Sequence, residues 1–217
     1  MIVAVDGPAA SGKGTIARRL AAHLSFGYLD TGKLYRAVGK AMLDAGQDPD
    51  DPAAAVRAAK AVDPSMLDDP ALGADDVAAA ASKVAAISCV RAALLKFQQD
   101  FAAAPPGNAR GAVLDGRDIG TVVCPDAEVK IFVTADVAVR ADRRHKELIG
   151  RGEDSIYAQV LQDLKERDAR DSDRAVAPLR PARDAETLDT SDLDPDAAFA
   201  AALAYINTYI ERRRTRH

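Results

Sequence analysis

The chain has 217 residues, 48% hydrophobic and 29% charged, with a formal net charge of −4 at pH 7. That length suits one sizeable core with small inserts, and the charge balance argues against a protein drawn to nucleic acid or to an acidic membrane. No run approaches the about 18 apolar residues of a membrane span, and Met1 leads straight into "IVAV" without a basic leader, so a cytoplasmic protein is expected.

Residues 2–5, "IVAV", form a β-branched run of the kind found in a buried parallel strand. "GPAASG" follows as a loop. "GTIARRLAAHL" has helical spacing, with Ile16, Leu20 and Leu24 four apart. "FGYLDTG" (26–32) predicts a brief strand running into a loop, and "KLYRAVGKAMLDAG" a helix ended by Gly46. "QDPDDP" (47–52) reads as a hinge, "AAAVRAAKAV" as a short helix and "DPSMLDDPALG" (63–73) as turns. The alanine-rich stretch 74–104 is expected to be mostly helical up to the "PPG" stop, with Val84, Ile87, Val90, Leu94 and Leu95 on one stripe. "GAVLDG" (111–116) and "VKIFVTA" (129–135) are strands. "DVAVRADRRHKELIG" and "EDSIYAQVLQDLKERDARDSD" are helices meeting at "GRG". "AETLDTS" (185–191) is a last strand. "DPDAAFAAALAYINTYIERRRTRH" is a closing helix, with Asp194 or Asp196 at its start and arginines at its end to match its dipole. Strands alternating with helices predict a single α/β domain, a mainly parallel sheet with helices on both faces. Cys89 and Cys124, without a CxxC or a histidine cluster, are expected to be buried reduced thiols. His23, His145 and His217 are expected to be incidental.

The chemistry starts at "GPAASGKGT": Gly7, Pro8, Ala9, Ala10, Ser11, Gly12, Lys13, Gly14 and Thr15. A strand, a glycine-rich loop and a helix in that order make a phosphate-binding loop. Glycines let the backbone curl until several N–H groups face one anion, and the helix adds its positive end. Lys13 supplies a cation for the β- and γ-phosphates. Gly14 follows the lysine where the general GxxxxGK[ST] pattern has the hydroxyl residue, and Thr15 comes one later. "DGRDIGT" (115–121) follows a strand, so Asp115, Arg117 and Asp118 sit beyond a carboxyl end, where ligands of such sheets bind. In "KERDARDSDR" Arg167, Arg170, Asp171 and Arg174 share one face if the segment is helical. The span 140–174 holds nine Lys/Arg and nine Asp/Glu, so spacing alone gathers its arginines. Two readings of that face stand: a solvated helix with internal pairs, or guanidinium groups converging on phosphates.

Together, "GPAASGKGT", "LDTGKLYR", "ASKVAAISCVR", "DGRDIGTVVCPDAEVKIF" and "KERDARDSDRAVAPL" resemble the bacterial cytidylate kinases over nearly the whole chain. The resemblance implies a P-loop kinase fold with a monophosphate-binding region (about 32–104) and a helical lid (about 150–175). It also implies transfer of phosphate from ATP, with Mg²⁺, to CMP or dCMP in pyrimidine nucleotide metabolism. By motif, residues 7–15 hold ATP, with the Thr15 hydroxyl toward the metal. Thr31, Arg91 and Asp118 read cytosine; Thr31 stands where many members have serine. Ser82, Arg167 and Asp171 hold the ribose, and Arg36, Arg117 and Arg174 the acceptor phosphate. Lys13, Arg117, Arg170 and Arg174 carry the catalytic charge, and Arg170 is expected at the moving phosphoryl group. The stretch 46–73 is short and lacks strand-like alternation, so the small sheet of the family's longer insert is expected to be absent. A monomer acting on free nucleotides is expected, with no nucleic-acid or membrane partner. Two rivals remain: a P-loop kinase for UMP, shikimate or a coenzyme precursor, and a nucleotide-driven switch without a metabolic substrate.

Overall fold

In the computed structural model, which describes residues 1–215, five parallel strands form one sheet in the order β2-β3-β1-β4-β5. The strands are β1 (Ile2–Asp6), β2 (Gly27–Asp30), β3 (Ala112–Gly116), β4 (Val129–Thr134) and β5 (Glu186–Asp189). The helices are α1 (Lys13–Leu24), α2 (Thr31–Asp44), α3 (Pro52–Lys60), α4 (Asp75–Val84), α5 (Ser88–Ala103), α6 (Val137–Gly150), α7 (Tyr157–Ser172) and α8 (Pro195–Arg214). Strand β1 is buried because the sheet is covered on both faces, and a strand's side chains alternate between them. Val3 and Val5 pack with Ile16 and Leu20 of α1 and Ile206 of α8. Ala4 between them packs on the other face with Leu29, Leu114 and Ile119. A separate helical core, with Leu34, Val38, Met42, Val84, Val90 and Leu94, joins α2, α3, α4 and α5. Gly39 permits the tight part of that packing: a Cβ there would meet the Ala81 backbone nitrogen at 2.9 Å.

Aspartates cap three of the helices, α2, α3 and α8. Asp30 accepts from the Lys33 N–H, Asp51 from Ala53 and Ala54, and Asp194 from Asp196 and Ala197, each replacing a partner the first turn lacks. Because Asp30 caps α2, Thr31 and Gly32 belong to its first turn and not to a loop. The stretch 63–73 forms two 3₁₀ turns, and no strand lies between 46 and 73, as the short insert led us to expect.

Three sequence expectations are corrected. The stretch 74–104 is mostly helical as expected, but its single apolar stripe is broken, because it forms two helices, α4 and α5, bent by 101° at a break after Val84. Val84, Val90 and Leu94 stay in one core, but the bend turns Leu95 into the neighbouring one. Cys89 is exposed on the first turn of α5, whereas Cys124 is buried, and burial pushes its thiol up to about 11. Helix α7 ends at Ser172, before Arg174. His23 and His145 lie on α1 and α6; His217 lies outside the described residues. Among the described residues no single helix is long and apolar enough to cross a membrane.

Candidate active site

In the sheet register Asp6 stands level with Gly116 on one side and Phe132 on the other, so the loops after β1, β3 and β4 leave the sheet side by side. The first of these loops is tight. A Cβ on Gly7 would lie 2.0 Å from the Val133 carbonyl oxygen, so no side chain fits. Gly12, at φ +86°, opens α1 without a capping side chain, and no acidic residue stands in the first turn. Helices α2, α3 and α8 spend an aspartate on their free N–H groups; at α1, behind the glycine loop, those groups stay open to an outside anion. The loop is fixed from outside. Arg140 donates to the Ala9 carbonyl at 3.2 Å and grips Asp168 of α7 with both prongs, and the Thr190 hydroxyl donates to the Ser11 carbonyl at 3.0 Å.

This loop borders a cleft of about 800 Å³. Ala9, Ala10, Lys13 and Gly14 line it from the sheet side, Arg36 and Ser82 from α2 and α4, Arg117 from the β3 exit, and Arg167 and Arg170 from α7. Among the described residues no histidine lines it. Lys13 is half-buried as the first residue of α1, not on a solvent-facing stretch, and donates to the Pro8 carbonyl at 3.3 Å. Burial first, then Arg117, pushes its ammonium well below the usual lysine range. Burial and the nearby Asp30 push the Asp115 carboxyl the other way. Thr15, the third residue of α1, is exposed.

The remaining candidates form a buried layer behind the cleft wall. Arg91, on α5, pairs with Asp118, lies 5.4 Å from the Tyr35 ring and donates to the Ala85 carbonyl at 3.2 Å. The Thr31 hydroxyl donates to the Asp115 carbonyl at 2.8 Å. Asp171 accepts from Arg117 Nε at 3.0 Å, and Arg174 Nη2 is 3.3 Å from its other oxygen. Burial would raise the Asp171 carboxyl, but Arg117, Arg174 and Arg167 together hold it below the usual range. Arg174 lies past the end of α7 and turns back to the Asp171 and Ala85 carbonyls at 3.2 and 3.4 Å. Arg167 keeps a buried Nε without a partner, and burial followed by Arg117 lowers its guanidinium to about 10. Arg170 Nη1 donates to Ser82 Oγ at 2.7 Å and so joins α7 to α4 across the cleft.

Comparison with known proteins gives the family. A family model described as "Cytidylate kinase" matches residues 3–208. The chain belongs to the cytidylate kinase family. Two relatives carry the same name. One, from Paramagnetospirillum magneticum, is 63% identical over 95% of this chain and 98% of its own length. Another, from Rhodopseudomonas palustris, is 58% identical over 99% of both chains. A solved structure of an uncharacterized protein from Eubacterium ventriosum shares the fold at TM-score 0.53 and 16% identity, over 95% of this chain and 98% of that one. With a parallel sheet, a glycine loop between β1 and α1 and the family match, the fold is the α/β P-loop kinase fold expected from the sequence.

Beside this cleft, sequence reasoning passed over Asp6. Its carboxylate, 5% exposed, accepts from the Ile119 and Gly120 N–H groups at 2.8 Å each and so ties the β3 exit turn to β1. A single aspartate ending a strand gave no local signal for that. Arg140 and Arg144 were likewise passed over on α6 as ordinary helix charges.

Proposed function

We propose that the cleft transfers the γ-phosphoryl group of ATP to the phosphate of CMP or dCMP, giving CDP or dCDP. The observation that carries the reading is the pairing of two anion sites in one cleft. An uncapped helix start with Lys13 forms one wall, and Arg36, Arg117, Arg167 and Arg170 form the other. A switch needs only the first. A kinase whose acceptor bears no phosphate has no use for the second.

The loop 7–15 cradles the ATP phosphates through backbone N–H groups. Lys13 neutralises charge that grows during transfer, and bound phosphate restores the ammonium that burial depresses. Thr15, exposed near the start of α1, would be the residue to hold Mg²⁺, a metal that accepts one protein hydroxyl among water and phosphate oxygens and would supply positive charge to the ATP phosphates. Arg36, Arg117 and Arg174 hold the acceptor phosphate. Thr31, Arg91 and Asp118 read the base, and Ser82, Arg167 and Asp171 hold the ribose. Arg170 moves from Ser82 to the phosphoryl group in flight. The acceptor oxygen is already ionised, so no general base is needed. Residues 32–104 serve the acceptor, and residues 150–175 close as a lid that keeps water from ATP. The reading extends to a cytoplasmic monomer acting on free nucleotides, and gel filtration tests the oligomeric state. An ATP-coupled assay over CMP, dCMP, UMP, AMP and GMP, with products identified by chromatography, tests the function. CDP must form fastest from CMP and ATP; a chain that makes no CDP refutes it.

A further inference from the structure

Among the described residues seven arginines border the cleft, and four of them come from four separate parts of the chain: Arg36 on α2, Arg117 after β3, Arg144 on α6 and Arg167 on α7. Three have a role above, and Arg144 has none. Its side chain is only 17% exposed. It bonds across the cleft to Asp75, the first residue of α4, and along its own helix to Glu147 at 3.0 Å. Arg144 also lies close enough to Arg36 and Arg167 to lower both guanidinium groups beyond what burial does. Like charges gathered in this way call for an anion between them.

The partners of these arginines differ in how firmly they hold. Arg117 is paired with Asp171, which is 5% exposed. The carboxylates on Arg144 stand mostly in water, Asp75 at 55% exposure and Glu147 at 45%. Such a pair is weak and readily exchanged. A guanidinium fork grips carboxylate and phosphate in the same two-pronged way, so a phosphate can take the place of Asp75. The stretch just before Asp75 makes a parallel contact, with Arg151 of the α6–α7 link donating to the Gly73 carbonyl at 3.2 Å. The start of α4 therefore meets the end of α6 across the cleft mouth.

We propose that Arg144 is a further phosphate-contacting arginine of the reaction, held by Asp75 in this structure and exchanging that carboxylate for a nucleotide phosphate during turnover. The inference rests on the cleft being the phosphoryl-transfer site. Asp75 competes with the ligand and thereby sets how strongly the cleft takes a phosphate chain.

The test measures binding of inorganic tripolyphosphate to the full chain by calorimetry, without nucleotide or turnover, for Asp75→Asn, Arg144→Ala and the double variant. Asp75→Asn removes the competitor and should tighten binding about two- to fivefold, the scale of an exposed ion pair. Arg144→Ala should weaken it at least about tenfold, the scale of a charge-assisted hydrogen bond. In the double variant Asp75→Asn should have no remaining effect, because Asp75 acts only through Arg144. In the CMP and ATP assay Arg144→Ala should lower kcat about 100-fold while KM for CMP stays within about threefold. Arg144→Lys, which keeps the charge and loses the fork, should fall between and covers the case that Arg144→Ala does not fold. Wild-type tripolyphosphate binding in Arg144→Ala, or an Asp75→Asn effect that persists without Arg144, overturns the proposal. A wild-type chain that binds tripolyphosphate yet makes no CDP overturns the kinase reading alone.

Discussion

Asp118 offers the sharpest check on base recognition. Cytosine presents an amino donor at N4 and acceptors at N3 and O2, whereas uracil presents an N–H at N3 and an acceptor at O4. An ionised carboxylate only accepts, and a guanidinium only donates. The Asp118–Arg91 pair therefore matches cytosine at both edges and opposes uracil at both. The pair is buried, with side chains 6% and 8% exposed, so water cannot relieve a mismatch. Each unpaired buried group costs about 1–3 kcal/mol, roughly tenfold to over a hundredfold in kcat/KM. Burial also decides which substitution to use. Asp118→Ala strands the Arg91 guanidinium without its counter-charge, an expense of about 3–5 kcal/mol in stability. At about 2–4 °C per kcal/mol for a chain of this size, that lowers Tm by roughly 6–20 °C. Asp118→Asn keeps the volume and one acceptor and adds a donor that suits uracil O4. We expect Asp118→Asn to lower kcat/KM for CMP, to raise or preserve it for UMP, and to narrow their ratio at least tenfold, with KM for ATP nearly unchanged. The assay is steady-state turnover on both monophosphates, with Tm as the folding control. An equal loss on CMP and UMP would falsify base reading by Asp118 and leave it as a brace for the β3 exit turn.

Other residues give independent checks. Lys13→Ala should lower kcat about 100- to 1,000-fold without lowering Tm, since it removes a cation that burial already disfavours; near-normal turnover would sink the phosphate-loop assignment. Arg170→Ala should lower kcat at least about 100-fold with CMP affinity changed less than about threefold, although it also removes the bond to Ser82; weak CMP binding with unchanged kcat would place Arg170 in ground-state binding. For Asp6 the checked quantity is stability against pH. Burial, partly offset by the Gly120 and Ile119 N–H bonds, raises its carboxyl from 3.8 to about 6 in the folded chain. Between those values the folded state binds the extra proton, so this group's contribution to stability falls as pH rises from about 4 to 6 and is flat above. The full span is roughly 3 kcal/mol at 1.36 kcal/mol per pK unit. Unfolding free energies of wild type minus Asp6→Asn should therefore decline over that window; a pH-independent difference would refute the shift.

What the sequence by itself determined is what neighbouring residues control through backbone torsion and short-range hydrogen bonds. The phosphate loop belongs here. Nine consecutive residues fix its curl and the free N–H groups of the helix behind it, so the site could be named before any packing was known. The central strands β1, β3 and β4 were legible because both of their faces are covered, which demands continuous apolar runs. The α4–α5 bend was not legible. Residues 85–87, "AAI", carry no glycine or proline, and the apolar period runs through them; only docking onto α2 and α3 selects a turn there. Site membership divides in the same way. Motif placed Thr31, Arg91, Asp118, Asp171 and Arg174 with the acceptor, but tertiary structure put them in a buried layer behind Arg36, Arg117, Arg167 and Arg170. It also joined Asp6 to Ile119 and Gly120, Arg170 to Ser82, and Arg144 to Asp75. These partners lie 69 to 114 residues apart. No local pattern encodes such pairs, because the strength of a charge contact depends on distance and desolvation, and both exist only once the sheet has brought the strand ends together.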